Sequence, residues 1–395
     1  MIQGLASSPI CGRCLLRTRR QLPRSRIHSQ IRHNHSNPPT PPPSGYSRLN
    51  NRSLISISGI DSTSFLQGLI TRNLSVPKNS PPVTSPFYAA FLNSQGRILN
   101  DVFIYPFETV NSPAGEMEYL IELDKGASEG LLKHFRRHKL RSKLKFRALD
   151  DGERSVWSIW DGNTSDWHEN DVFKESNAII CPDSRAPGMG YRKPFLAMKP
   201  RSRPIRYARM LQGVGEGQIE MPRESALPMD SNIDIMNGID FRKGCYVGQE
   251  LTIRTHHRGV VRKRILPVQL YESTQAPPTS DIPVYDPDTS ITPPPSGVEA
   301  NISKVGASKG RSAGKFLNGI GNVGLAVCRL EIMTDIALTG ESTQYDAKQE
   351  FKITWDFTEV GGTNIADQPK VKAFVPPWIK EYILSGGARH RQPKA

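Results

Sequence analysis

The pattern of apolar and polar positions in the N-terminal half predicts strands that alternate with helices. Residues 53–60 alternate Ile with Ser, which is the period of a strand, and Asp61 then provides an N-cap for a helix. The apolar stripe of that helix is Phe65, Leu66, Leu69 and Ile70. Two β-rich runs, 87–92 and 98–105, flank a turn-forming sequence that contains Gly96. The chain therefore runs from a strand into a helix and then through a hairpin.

The pattern continues in the same way up to about residue 148. Residues 119–123 predict a strand, 128–139 carry apolar side chains at helical spacing, and 144–148 alternate again. Strands, helices and hairpins that interleave without a regular βαβ repeat indicate the α+β class.

The sequence pattern changes near residue 262, where short predicted strands replace the mixture of strands and helices. The predicted strands are 265–270, 324–332 and 351–355. They indicate a separate C-terminal β-barrel or sandwich with no long helix. Residues 273–315 are rich in Pro, Ser, Gly and Thr and predict a long mobile loop, and 381–395 predict a disordered tail.

The net charge of +14 is concentrated at the N-terminus. The first 60 residues contain nine Arg and no Lys, Asp or Glu, so the remaining chain carries +5. A segment rich in Arg and Ser and free of acids is typical of an organelle transit peptide. We therefore predict a cleaved mitochondrial presequence over 1–36, followed by a Pro-rich linker over 37–45; a basic tail that binds nucleic acid or another surface is the alternative.

Membrane-spanning and disulfide-rich classes do not fit the composition. The chain has no apolar run of roughly 18 residues, the length that a membrane span requires. Five cysteines are present, of which Cys181, Cys245 and Cys328 lie outside the predicted presequence. Their wide spacing matches no zinc or thioredoxin motif, so each thiol is expected to act singly.

Cys245 lies in a basic, glycine-containing segment. Lys243 precedes it, His256 and His257 follow it, and positive neighbours favour the thiolate, which is the nucleophile and the metal ligand. The alternative is a buried structural cysteine, which is common. If Cys245 binds iron, the other cluster ligands come from a partner or from His256 and His257, although those histidines are also ordinary loop residues.

Two further segments carry candidate binding groups. Residues 95–101 form a polar turn that leads into a strand, and they could hold the edge of a heterocycle or serve only the hairpin. Of the 15 residues in 133–147, eight are Lys or Arg; they could bind an acidic ligand tail, an acidic partner or RNA phosphate, or simply face solvent. No P-loop, HExxH or GxSxG motif is present.

The run KGCYVGQE, from Lys243 to Glu250, resembles the signature of the YgfZ-type folate-binding proteins, which are related to the glycine-cleavage T-protein. Supporting runs occur in the family's order: FLQGLIT at 65–71, QGRILND at 95–101, a basic segment at 138–143, and RMLQG at 209–213. The resemblance covers about 46–380. With a presequence in front, it identifies the mitochondrial branch of the family, whose members assist the late assembly of [4Fe-4S] proteins.

The resemblance implies a three-lobed cloverleaf around a folate-sized cavity, with two lobes in 46–260 and a β-barrel in 261–380. It makes Cys245 the functional thiol. The residues that shape its loop are Lys243, Gly244, Tyr246, Gly248, Gln249 and Glu250. The residues assigned to the pterin cavity are Asn100, Asp101 and Arg209. The implied cofactors are a tetrahydrofolate-type ligand and a [2Fe-2S] or [4Fe-4S] cluster shared through Cys245, with no metal site made by this chain alone.

The implied function is maturation of [4Fe-4S] proteins in the mitochondrial matrix, including aconitase and the radical enzymes that form lipoate and biotin. The implied partners are A-type scaffold proteins and client apo-proteins, with no nucleic acid and no membrane span. Aminomethyltransferases of this fold carry paired acids where this chain has Asn100 and Asp101, which disfavours methylene transfer from glycine. A folate-dependent one-carbon transferase and an RNA-associated factor are the alternatives.

Overall fold

A computed structural model describes most of the chain after the predicted presequence. The described residues are 44–74, 83–108, 117–160, 179–195, 206–306, 311–338, 344–355 and 368–386. The predicted presequence, residues 37–43 of the predicted linker and residues 387–395 of the predicted tail lie outside them. Among the helices described, none has the length and apolarity to cross a membrane.

Fifteen strands, seven α-helices and a 3-10 helix at Lys125–Ala127 make up the described structure. The strands are β1 (Gly45–Arg48), β2 (Arg52–Ser58), β3 (Phe87–Leu92), β4 (Ile98–Phe107), β5 (Glu118–Asp124), β6 (Lys145–Ala148), β7 (Ser155–Trp160), β8 (Cys181–Pro182), β9 (Tyr191–Phe195), β10 (Lys263–Tyr271), β11 (Ala300–Lys304), β12 (Gly314–Ile320), β13 (Val323–Arg329), β14 (Phe351–Trp355) and β15 (Lys370–Ala373). The helices are α1 (Ser62–Gln67), α2 (Ser128–Lys139), α3 (Arg206–Leu211), α4 (Gly217–Glu220), α5 (Gln249–Arg258), α6 (Leu330–Met333) and α7 (Pro377–Leu384).

The first lobe is an antiparallel sheet in the order β3-β4-β5-β2-β6, with α1 and α2 on one face. Every strand and helix predicted between residues 53 and 148 is present. The apolar stripes of the two helices meet through Phe65 and Phe135, whose ring centroids are 5.6 Å apart, and Phe135 also packs on Phe91 of β3 at 5.3 Å. Such edge-to-face contacts add to the burial that holds the helices on the sheet.

The second lobe is a four-stranded antiparallel sheet in the order β1-β7-β9-β8. It faces the side of the first sheet that α1 and α2 leave uncovered. The central core there combines Tyr88 and Phe103 from the first sheet, Val156 from the second, and Ile265 and Leu325 from the C-terminal domain. The three lobes therefore share one buried apolar centre, as the predicted cloverleaf requires.

The C-terminal domain is a closed barrel in the order β10-β13-β12-β11-β14-β15. The predicted loop 273–315 needs correction, because β11 and the start of β12 lie within it; residues 273–299 carry no helix or strand. The helices of this domain are short, as predicted: α6 has four residues and α7 has eight, and α7 packs Ile379 into the barrel core. Consequently residues 381–384 of the predicted disordered tail are helical.

A buried ionic network joins the two sheets. Its cations are Arg52, Arg185 and Arg192, and its anions are Asp101, Glu122, Asp183 and Glu216. All seven side chains are at most 4% exposed. Tyr105 adds a hydroxyl that donates to Glu122 at 2.5 Å.

Arg192 of β9 is the centre of this network. It binds Glu122 of the first sheet, Asp183 of the segment after β8, and Glu216 just before α4. Although burial alone raises the pKa of Glu216, Arg192 and Arg185 hold it well below its usual range. The arginines therefore keep Glu216 charged, and the other acids of the network also pair with them.

The network predicts that replacing Arg192 destabilises the protein far more than replacing an exposed arginine does. Arg192→Met leaves three buried carboxylates short of a cation, so we expect the free energy of unfolding to fall by about 3–5 kcal/mol in denaturant titrations. Arg147→Met is the matched control, because Arg147 forms a surface pair with Glu153 and should leave stability close to wild type. Equal losses in the two variants would contradict the role of the network.

His134 of α2 predicts a second, pH-dependent effect. Burial, together with the charges of His138, Arg223 and Arg137, lowers the pKa of His134 to about 4. In the unfolded chain His134 takes up a proton near pH 6.5, whereas in the folded chain it does so only near pH 4. The contribution of neutral His134 to the free energy of unfolding is therefore fully present above pH 6.5 and is lost as the pH falls toward 4.

Because the His134 ring is partly exposed, we expect this loss to amount to about 1–2 kcal/mol. His134→Leu should unfold with a smaller difference between pH 7 and pH 4.5 than the wild type, as measured by urea titration at both values. An unchanged difference would show that other groups carry the pH dependence.

Candidate functional site

Three segments that are distant in sequence meet around the KGCYVGQE loop: the end of α1, the β3–β4 turn, and the start of α5. The amide of Val247 donates to the carbonyl of Gly68 just after α1, at 3.1 Å. Gly248 lies directly against the turn, where a Cβ would overlap the carbonyl oxygen of Asn93 and come within 3.1 Å of Gly96 Cα. The motifs that resembled one family in sequence therefore form one structural unit.

Gly248 has a φ of 82° and stands at the N-cap of α5. Gly96 in the opposing turn has a φ of 78°, and a Cβ there would lie 2.8 Å from Leu251 Cβ. Glycine adopts such backbone angles without strain and allows the two main chains to approach closely. The side chain of Gln249 accepts the amide of Tyr246 at 3.2 Å, and Glu250 lies exposed in the first turn of α5.

Lys243 anchors the loop to α1. Its ammonium donates to the carbonyl oxygens of Gln67, Ile70 and Arg72 at 2.7, 2.6 and 3.0 Å. It also lies 4.7 Å from the ring centroid of Tyr246, which is buried. Free carbonyls at the end of a helix attract a cation. Burial lowers the pKa of the Lys243 amine to about 8.

Cys245 is exposed, whereas Cys181 and Cys328 are buried. Burial, with the charges of Glu122 and Asp183, raises the pKa of the Cys181 thiol to about 12, and burial raises that of Cys328 further. A thiol that is buried and protonated at neutral pH can neither attack nor ligate. Among the described cysteines, Cys245 alone is placed to meet another molecule.

Gly244 differs from Gly248. A Cβ at Gly244 would meet no atom within 4 Å, and its φ lies outside the left-handed region. The fold therefore does not require glycine at position 244. A side chain there would project into open space beside Cys245.

His256 and His257 occupy the last turn of α5. The ring of His256 stacks on Phe241 with centroids 3.7 Å apart and planes 10° apart, and His257 meets His256 edge-on at 4.9 Å. The histidines are thus helical rather than in a loop. In the described part of the chain, no three His, Cys, Asp or Glu side chains gather into a set that could hold a metal ion.

The residues assigned to a pterin do not form one site. Asn100 and Asp101 are successive residues of β4 and so point to opposite faces of the sheet. Asp101 accepts from Arg52 and from the amide of Gly217, on the side of the ionic network. Asn100 accepts from Arg223, which lies against α2 on the other side.

Arg209 is also engaged within the chain. Its guanidinium binds both carboxylate oxygens of Glu220, at 2.5 and 2.7 Å, and donates to the carbonyl of Val214. The amide nitrogen of Asn100 is buried without a hydrogen-bond partner, but it lies on the α2 side of the sheet. Asn100, Asp101 and Arg209 therefore do not fit the donor and acceptor edge of a pterin, and no step through a folate follows from them.

Substitution of Gly248 and of Gly244 is predicted to change the stability of the protein by different amounts. Gly248→Ala places a methyl group against the β3–β4 turn at a positive φ, so we expect a loss of about 2–4 kcal/mol in the free energy of unfolding. Gly244→Ala should unfold like the wild type, because nothing opposes its methyl group. Denaturant titrations of both variants test this, and a destabilised Gly244→Ala would mean that the loop has a different conformation.

Comparisons with known proteins agree with this architecture. Residues 262–381 match the family model described as "CAF17, C-terminal beta-barrel domain". The crystal structure of glycine cleavage system aminomethyltransferase T from Bartonella henselae is similar in fold, with a TM-score of 0.52, 11% sequence identity and 88% of each chain covered. This similarity concerns the fold alone.

Curated relatives are much closer in sequence. The "Iron-sulfur cluster assembly factor IBA57 homolog, mitochondrial" of Coccidioides immitis is 53% identical, over 99% of this chain and 95% of its own length. The protein of the same name from Aspergillus fumigatus is 49% identical, over 96% of this chain and 92% of its own length. The chain therefore belongs to the family of mitochondrial iron–sulfur cluster assembly factors of the IBA57 type.

Proposed function

We propose that this protein supplies Cys245 as one thiolate ligand to an iron–sulfur cluster that it shares with an A-type scaffold protein in the mitochondrial matrix. The observation that carries the proposal is the thiol of Cys245, the one exposed thiol among the described cysteines, on an anchored loop. The cluster is cargo, which passes on to apo-proteins of the [4Fe-4S] class.

The number of ligands supports a shared site. A cluster held by thiolates needs four of them, and the other two described cysteines are buried in cores. Cys245 can therefore provide one ligand, and the remainder come from the partner. Transfer to a client is also easier from a site whose two halves separate than from a closed cage of four ligands.

The anchoring of the loop supports efficient binding. Three hydrogen bonds hold Lys243, and the Gly96–Gly248 approach fixes the start of α5. The loop conformation is thus determined before a partner arrives, so binding does not have to order it.

The charges around Cys245 support an anionic partner. Arg242, Arg254 and Arg258 are exposed on the loop and on α5. A basic surface steers an acidic protein into contact.

Cys245→Ala should remove cluster formation without changing stability, because the side chain is exposed. The mature protein is mixed anaerobically with an A-type scaffold, iron and sulfide, and the cluster is followed by visible absorbance and circular dichroism. We expect Cys245→Ala to lose the signal of the mixed complex at least tenfold, whereas the scaffold alone keeps its own signal.

Cys328→Ala is the matched control, since it removes a buried thiol and should retain the mixed-complex spectrum. If Cys245→Ala gives the wild-type spectrum and elutes with the scaffold as a complex of the same size, Cys245 does not ligate the cluster and the proposal fails.

A further inference from the structure

Two turns, one before α1 and one after α2, each hold an aliphatic side chain outward. Leu140 is 87% exposed and Ile60 is 67% exposed, which makes them the two most exposed large apolar residues in the described part of the chain. Isolated exposed apolar residues are common on protein surfaces, but two that adjoin need an explanation.

The turns that carry Ile60 and Leu140 are tied together. The carboxylate of Asp61 accepts the amide of Lys143 at 2.6 Å, and a Cβ at Gly59 would overlap the Lys143 carbonyl. The amide of Ser142 donates to the carbonyl of Lys139 at 2.8 Å, which closes the turn around Leu140. Ile60 and Leu140 therefore project from adjoining turns.

The backbone of Leu140 is strained, with a φ of 45°. With a ψ of −115°, this conformation is close to that of the first central residue of a type II′ turn, where glycine or asparagine replaces leucine at lower cost. The chain thus keeps an aliphatic side chain in solvent against both its backbone preference and the hydrophobic effect. Strain that persists in this way points to a function.

Four cations lie within three residues of Leu140 in the sequence, and one of them, Lys143, binds the turn that carries Ile60. We define the basic tip as Ile60, Leu140, Arg137, Lys139, Arg141 and Lys143. Within the described residues, the ion pairs of this region belong to its neighbours, Arg136 with Glu129 and Arg147 with Glu153, and the four cations of the basic tip form none. Their positive charge is therefore available to an anionic partner.

We propose that the basic tip docks this protein on an anionic lipid membrane, with Leu140 and Ile60 entering the headgroup region and the four cations binding lipid phosphates. Aliphatic side chains ringed by Lys and Arg are the pattern of proteins that lie on membranes. Protein interfaces are instead enriched in aromatic residues and depleted in Lys, and single-stranded RNA is bound through aromatic stacking. None of the six residues of the basic tip is aromatic, and the neighbouring ring of His138 is half-buried against His134.

This surface leaves the Cys245 loop accessible. Asp61 stands immediately before α1, and Lys243 binds carbonyls at the other end of that helix. A helix of six residues is about 9 Å long. The basic tip and the Cys245 loop therefore lie at opposite ends of one short helix, and the protein can rest on a membrane while presenting Cys245.

Flotation with lipid vesicles tests the proposal on the mature protein. Vesicles of phosphatidylcholine alone are compared with vesicles that also contain phosphatidylglycerol or cardiolipin. We expect the protein to float with both anionic vesicles and not with phosphatidylcholine, and the bound fraction to fall as salt rises. Absence of binding to anionic vesicles at physiological salt overturns the proposal.

Two variants separate the charges from the aliphatic side chains. Arg137→Glu combined with Arg141→Glu should weaken vesicle binding at least tenfold. Leu140→Asn, which suits the positive φ, should weaken it about fivefold while the thermal midpoint stays at or above the wild-type value. Ile282→Asn, at another exposed aliphatic position, is the control and should float like the wild type.

Other partners give different results. If the charge-reversed variant loses binding to an RNA oligonucleotide while vesicle binding is unchanged, the basic tip is a nucleic-acid surface. If Leu140→Asn abolishes the complex with the scaffold in solution but not vesicle binding, it is a protein interface. Either result overturns the membrane proposal and leaves the role of Cys245 to its own experiment.

Discussion

The contact of Arg192 with three carboxylates is the interaction on which the arrangement of the lobes depends. Arg192 lies in the second sheet, Glu122 lies in the first, and Glu216 leads into α4. A buried charge is tolerated only where its partners are in place, so the network distinguishes this packing from others of similar apolar area. Apolar burial drives the lobes together, and the ions select their mutual position.

The same network controls the support of the Cys245 loop. Asp101, a buried anion of the network, lies in β4, and the turn that opens β4 contains Gly96. Gly248 rests on that turn and starts α5, while Lys243 holds the loop to α1. A chain of contacts thus leads from the buried ions to one exposed sulfur. In this protein Asp101 has a structural role within the ionic network, which differs from binding a pterin.

The first lobe was predictable from its sequence because its sheet is covered on both faces, so that its central strands are apolar. Residues 53–60, 87–92 and 119–123 alternate or run apolar in the way that a covered sheet requires, and the helices carry matching stripes. The second sheet was not predictable by this route. Its strand β9 contains Arg192 and Lys193, which are buried. Because these residues are charged, the sequence of β9 does not have the apolar pattern that predicts a core strand. Only the carboxylates of other segments make the burial of the Arg192 cation acceptable.

The assignment of Asn100 and Asp101 to one pterin cavity could have been rejected from strand geometry alone. Asn100 and Asp101 are neighbours in a segment predicted as a strand, and successive side chains of a strand point to opposite faces. Family resemblance placed both in one cavity, whereas the period of the strand separates them. The exposure of Cys245 could not be reached in the same way, because it depends on contacts with Gly68, Asn93 and Gly96, which no local pattern encodes.

The three described cysteines show why the surroundings decide the chemistry. Cys181 lies beside the ionic network and Cys328 in the barrel core, where burial keeps each thiol protonated. Cys245 differs because Lys243 and Gly248 hold its loop from both sides and leave the sulfur outside. α1 links that loop to the basic tip, because Asp61 before the helix binds Lys143 and Lys243 binds the carbonyl of Gln67 at its other end. If both proposals hold, this protein transfers its cluster at a membrane surface. The anionic charge of the membrane then concentrates the basic protein where the transfer occurs.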